Sequence, residues 1–255
     1  MRTLQNNQYT PVFTPRFHLS DGSMVGIEVK IKCRQKILSA NETFKLIQSG
    51  KSGDLLKQIN LHLSKWSEKA ENNLYLSWEI SCETTQLDLA VFLDALSSSL
   101  PLNQLEIMLD ARDLTTDQGL DKCQQLFTHF PAKGIRRGLF HSRPCDFDMD
   151  ELCKTIDIFK INKSMITDMK NDVPTAHKGY WFIDRLNKEN IDMVVDDLYC
   201  KEDVTSVILM GIKYGQGYFL SRNQSPQKAV KRLEKKPGAD FYERRFDCFD
   251  SLLWY

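Results

Sequence analysis

Val25-Gly26-Ile27-Glu28-Val29-Lys30-Ile31 is a short apolar run that reads as a β-strand. Four further runs read the same way: 74–80, 105–109, 156–161 and 191–195. The segments between them carry helical periodicity. From Asp54 to Ala70, Leu55, Ile59, Leu63 and Trp66 recur at three- and four-residue spacing and form one apolar stripe. Near the end, Ser225 offers an N-cap and Pro226 a first helical residue, and Pro237-Gly238 is expected to stop that helix. Alternation of this kind implies βα units around a mostly parallel sheet. No proline- or glycine-rich linker divides the chain, and its 255 residues suit one α/β barrel, which typically needs about 250. The reading is one barrel-like domain.

Composition narrows the function classes. Charges balance at 34 basic and 34 acidic residues, so no global positive field exists to drive binding through many phosphate contacts, and direct nucleic-acid binding is not expected. With 42% hydrophobic and 27% charged residues the chain reads as globular rather than disordered. Residues 1–8 lack a signal-peptide core, and Val207–Ile212 is far shorter than the roughly 20 residues of a membrane span. Seven scattered cysteines without a C-x-x-C pair suit reduced thiols better than disulfides or a zinc site. No membrane partner and a cytoplasmic location are expected. The five histidines show no metal-ligand spacing, and the run Lys228, Lys231, Arg232, Lys235 and Lys236 reads as a solvated basic helix end.

Three motifs carry a resemblance. Tyr9-Thr10-Pro11-Val12 followed by Gly26-Ile27-Glu28-Val29-Lys30, then Asp157-Ile158-Phe159-Lys160-Ile161-Asn162, then Tyr214-Gly215-Gln216-Gly217-Tyr218-Phe219-Leu220-Ser221-Arg222 resemble, in order and spacing, the motifs of the bacterial EAL domain, which hydrolyses cyclic di-GMP. The resemblance spans roughly residues 9 to 230. It implies a modified TIM-type (β/α)8 barrel whose first strand runs antiparallel. The expected organisation is a barrel over residues 1–238 and an aromatic-rich extension over 239–255, packed on the barrel or exposed.

The resemblance also implies a site at the barrel mouth, where such enzymes hold two divalent metals with carboxylates and one asparagine, beside a lysine near the attacking water. Here Glu28, Lys160 and Gln216 match the family, and Asp196 matches it one methylene short. The other positions are substituted. Lys30 replaces the leucine of the signature, and Lys32 replaces a nucleotide-gripping arginine. Glu79 stands at the metal-binding asparagine and Met108 at a glutamate, although Glu106 would match with a two-residue slip. The family's paired-aspartate loop falls on residues 139–144, which contain no aspartate; Asp146 and Asp148 lie beyond it. Asn162 and Tyr199 replace an aspartate and a glutamate. Glu28 and Lys160 also admit a plainer reading, as a strand-end charge facing solvent or as a compensated pair.

Too few oxygen ligands remain for two cations, so neither a working phosphodiesterase nor a bound cofactor is expected. Stand-alone degenerate EAL proteins resembling this one restrain motility by binding the flagellar master transcription activator. The resemblance therefore implies a protein-binding regulator with that partner, and the lack of a sensor, receiver or cyclase segment agrees with a free-standing binder. Cyclic di-GMP is not an expected ligand, a receptor without turnover and a weak phosphodiesterase being the alternatives.

Overall fold

The computed structural model describes residues 9–49, 53–69, 74–115, 117–128, 130–141 and 149–233. Its strands are β1 (Tyr9–His18), β2 (Met24–Cys33), β3 (Lys36–Ile37), β4 (Tyr75–Ile80), β5 (Leu105–Asp110), β6 (Arg136–His141), β7 (Ile158–Asn162), β8 (Asp192–Asp196) and β9 (Tyr214–Gly215). They hydrogen-bond in the order β1-β9-β8-β7-β6-β5-β4-β2, and β1 returns to β2, so eight strands close a ring with β3 attached outside it. β1 runs antiparallel to both neighbours. The remaining pairs around the ring are parallel. The expected (β/α)8 architecture with an antiparallel first strand is what the chain adopts.

Helices α1 (Ala40–Gln48), α2 (Gly53–Lys69), α3 (Gln86–Ser97), α4 (Asp117–Phe127), α5 (Met149–Thr155), α6 (Lys163–Asn171), α7 (Val173–Lys188), α8 (Lys201–Leu209) and α9 (Pro226–Leu233) lie between and after the strands. The apolar stripe of α2 is the one read from sequence, with Leu55, Ile59, Leu63 and Trp66 all buried. Local caps set the helix starts: Ser39 closes a capping box with Glu42 on α1, and the Asp172 side chain accepts from the Thr175 amide on α7. Among the described residues no helix is long and apolar enough to cross a membrane. The extension at 239–255, the Pro237-Gly238 stop, and Asp146 and Asp148 lie outside the described residues.

Strand residues alternate between the ring's interior and its helical coat. On β4, Trp78 packs edge-on against Phe92 of α3, and on β7 Phe159 does so against Phe182 of α7. The alternate residues therefore turn inward, and they form three layers. At the floor, where the parallel strands begin, Glu106 lies 2.5 Å from Arg16 and 2.9 Å from Arg136, and Arg136 reaches Asp192 at 2.6 Å. A waist of Met108, Ile158 and Val194 follows, fully buried, with Phe140 and Tyr214 against it. Above the waist is the mouth, at the carboxyl ends of the strands, where the charged residues of the site gather.

Candidate functional site

The mouth is built by strand ends that each project one or two polar side chains. Glu28 and Lys30 come from β2, Glu79 from β4, Asp110 from β5, Lys160 and Asn162 from β7, and Asp196 from β8. A cavity of about 230 Å³ opens here, lined by Glu79, Asp110, Arg112, Phe140, Lys160, Asn162 and Asp196. Gln216 follows β9, in a turn held tightly against the end of β8. The Gln216 amide donates to the Val195 carbonyl at 2.9 Å, and Phe219 donates to the Leu198 carbonyl at 2.9 Å. Gly217 makes that approach feasible: its φ is +143°, and a Cβ there would meet the Leu198 nitrogen at 2.3 Å.

Glu28 is the centre of the arrangement and has no exposed surface. Its Oε1 accepts from Lys160 Nζ at 2.8 Å, and Lys30 Nζ lies 3.4 Å from the same oxygen. Its Oε2 accepts from Gln216 Nε2. Lys160 also donates to Glu79 and lies 3.9 Å from Asp196, while Lys30 lies 3.8 Å from Asp196. Two ammonium groups thus sit among three carboxylates. The structure selects the pairing alternative for Glu28 and Lys160 over a solvent-facing charge.

The electrostatics follow from that geometry. Burial opposes the charge on Glu28, but Lys160 and Lys30 more than offset it and hold the carboxyl well below its ordinary range. Burial likewise disfavours the Lys160 ammonium; Glu28, Glu79 and Asp196 outweigh that and raise its pKa. Lys30 is raised chiefly by Glu28, against the effect of burial. Burial pushes Glu79 up to about 7; Lys160 opposes the rise and the Glu28 charge adds to it.

The remaining sequence-derived positions fall in different places. Met108 is in the waist with no exposed surface, below the mouth, and Glu106 is in the floor network. Asn162 caps α6 by accepting from the Ser164 amide at 2.8 Å, and its Nδ2 donates to Asp197 at 2.9 Å. Tyr199 is over half exposed, with its hydroxyl 3.4 Å from Asp197 and Lys163 above its ring. Lys32 is half-buried near the end of β2, opposite Thr10 and Ile37. Of the loop at 139–144, Leu139 and Phe140 belong to β6, and Phe140 places its ring 5.1 Å from the Lys160 ammonium; residues 142–144 are outside the described residues.

Asp110 was not singled out from sequence, yet it is the β5 residue that reaches the mouth. Arg112 grips it: its Nε lies 3.0 and 2.9 Å from the two carboxylate oxygens, and its Nη2 donates as well. The inward alternation Glu106, Met108, Asp110 carries the signal that finds it.

A family model described as the EAL domain matches residues 1–223. The fold is similar to several solved structures. The EAL enzyme Bd1971, in a form with cAMP and cyclic di-GMP bound, shares 14% identity at a TM-score of 0.73 over 91% of this chain. The chain spans 66% of that protein's length. The EAL domain of DcpA from Mycobacterium smegmatis shares 13% identity at a TM-score of 0.72, covering 90% of this chain and 99% of that one. The FimX EAL domain from Pseudomonas aeruginosa, bound to cyclic di-GMP, shares 19% identity at a TM-score of 0.63, covering 86% of this chain and 91% of that one. No curated protein matches the sequence significantly.

Proposed function

The chain belongs to the EAL-domain family, and on that premise we propose that it is a non-enzymatic regulator that acts by binding another protein. The observation that carries this reading is the pair of ammonium groups, Lys30 and Lys160, seated among Glu28, Glu79 and Asp196. Opening a phosphodiester at neutral pH calls for divalent ions that activate water and neutralise the phosphate. The residues present do not fit such a pair of ions. The carboxylates that would hold them already have cationic partners within the protein, and Arg112 holds Asp110. Met108 offers only a thioether, buried in the waist, and a soft sulfur suits magnesium poorly. The same pairing argues against a nucleotide receptor, because neither lysine is left to meet a phosphate.

The partner proposed is the flagellar master transcription activator, which the resemblance to stand-alone degenerate EAL proteins suggests, and the consequence is repression of motility in the cytoplasm. The test has two arms. Purified protein is incubated with cyclic di-GMP and Mg²⁺ or Mn²⁺, and no cleavage is expected; turnover on the order of 1 per second overturns the reading. The intact protein is then mixed with the purified activator, and a stoichiometric complex is expected on size exclusion. A folded Glu28→Gln variant should form that complex as well as the parent does. Absence of a complex removes the activator as partner, and loss of binding in a folded Glu28→Gln variant returns function to the barrel mouth.

A further inference from the structure

The mouth contains two internal cations that lie within 4 Å of the same two oxygen atoms. Glu28 Oε1 lies 2.8 Å from Lys160 Nζ and 3.4 Å from Lys30 Nζ; Asp196 Oδ2 lies 3.9 Å from the first and 3.8 Å from the second. The two amines differ in their remaining contacts. Lys160 is nearly fully buried, donates also to Glu79 and lies under the Phe140 ring, so it is part of the packed barrel. Lys30 stands nearer the rim, and it forms ion pairs with Glu28 and Asp196. Removing it leaves Glu28 still bonded to Lys160 and Gln216. It also leaves three carboxylates facing a single ammonium. A further hard oxygen is close by: Gln216, whose Nε2 touches Glu28, has its Oε1 buried with no hydrogen-bond partner.

We propose that Lys30 is a built-in counter-cation that excludes divalent ions from Glu28 and Asp196, and that neutralising it opens one divalent site at those two carboxylates. A divalent ion needs oxygens at about 2.0–2.6 Å, and it cannot approach them while an ammonium occupies the space between. Its attraction to the carboxylates is also offset by repulsion from two resident positive charges. A neutral residue of similar length at position 30 removes one of those charges and frees the space. The inference rests on the reading of the mouth as unfit for metal, but it concerns cation occupancy alone and is independent of the protein partner.

The probe is Mn²⁺, followed by electron paramagnetic resonance of the free ion at neutral pH, with folding checked by circular dichroism. Wild type should show no saturable binding in the micromolar range. Lys30→Met should bind one Mn²⁺ per chain at least tenfold more tightly than wild type. Lys30→Arg, which retains the charge, should match wild type. Adding Glu28→Gln to Lys30→Met should abolish the gain. Equal binding by wild type and Lys30→Met overturns the inference, as does a gain that survives Glu28→Gln. Should Lys30→Met fail to fold, Lys30→Gln takes its place, and saturable micromolar binding by wild type overturns the inference without any variant. Cyclic di-GMP cleavage by the wild-type chain would defeat the function proposed above; a folded Lys30→Met that takes up no Mn²⁺ would defeat only the cation block.

Discussion

Lys160 Nζ and Glu28 Oε1 lie 2.8 Å apart although 132 residues separate them in sequence. The pair joins β7 to β2 across the barrel mouth, between strands that share no ladder. Both side chains are almost wholly buried, so each charge leans on the other, with Lys30 also beside Glu28 and Glu79 beside Lys160.

Removing one member alone should therefore be costly. Glu28→Ala or Lys160→Ala is expected to lower the unfolding free energy by up to about 3–5 kcal/mol, the usual cost of breaking a buried pair, less whatever Lys30 or Glu79 still compensates. The double replacement Glu28→Leu with Lys160→Met should cost clearly less than the sum of the single changes, since it strands neither. Urea unfolding of the three variants measures this.

Glu79 should give the mouth a pH dependence, because burial raises its carboxyl. Its folded pKa of about 7 stands above its unfolded value of 4.5, so the folded state holds the extra proton between those values. Stability from this group is full below pH 4.5 and is lost as pH rises through 7. Unfolding free energies at pH 5 and pH 8 should differ by up to a few kcal/mol more in wild type than in Glu79→Gln, at about 1.4 kcal/mol per pKa unit. A difference of opposite sign would show that the carboxyl is not raised.

Gly138 leaves the waist no spare volume. A Cβ at this position would lie 2.1 Å from Met108 Sδ and 2.8 Å from Ile158 Cγ2. Gly138→Ala is expected to destabilise by about 1–3 kcal/mol through overpacking. Met108→Ala, which removes the obstructing thioether, should be less damaging in the Gly138→Ala background than in wild type. A double-mutant cycle by thermal unfolding reads the coupling.

At the floor, Glu106 compensates two arginines at once. Arg136 retains Asp192, but Arg16 already has its Nε and Nη2 buried without partners and would lose its ion pair. Glu106→Gln should cost about 3–5 kcal/mol without changing partner binding. Arg16→Met placed on top should recover part of the loss, measured by urea titration.

The sequence exposed the strands that are apolar runs and hid those that are not. β2, β4, β5, β7 and β8 were legible because their outward residues meet the helical coat. β6 was not, because Arg136-Arg137-Gly138 puts two cations and a glycine where an apolar pattern was sought, and β9 is only two residues long. Glu28, Lys160, Asp196 and Gln216 were found through family motifs, and they do converge. Asp110 was not legible because the family's glutamate position falls on Met108, one inward step below the mouth. That Lys30 approaches Glu28 and Asp196 was not legible, since it depends on where β2 and β8 lie in the closed ring.

The antiparallel first strand imposes an order on assembly. β1 and β2 pair as a local hairpin over nine residue pairs, whereas β1 meets its other neighbour through Phe17 with Gly215 and His18 with Tyr214. Nearly two hundred residues must be made before that second edge is covered, and closing so long a loop is slow. Until then the nascent sheet carries two open edges, each a template for pairing with another chain. A chain that stops short of Gly215 is thus not a smaller barrel but an unclosed sheet. The two-residue β9 is therefore what separates a closed ring from a sheet with two unpaired edges.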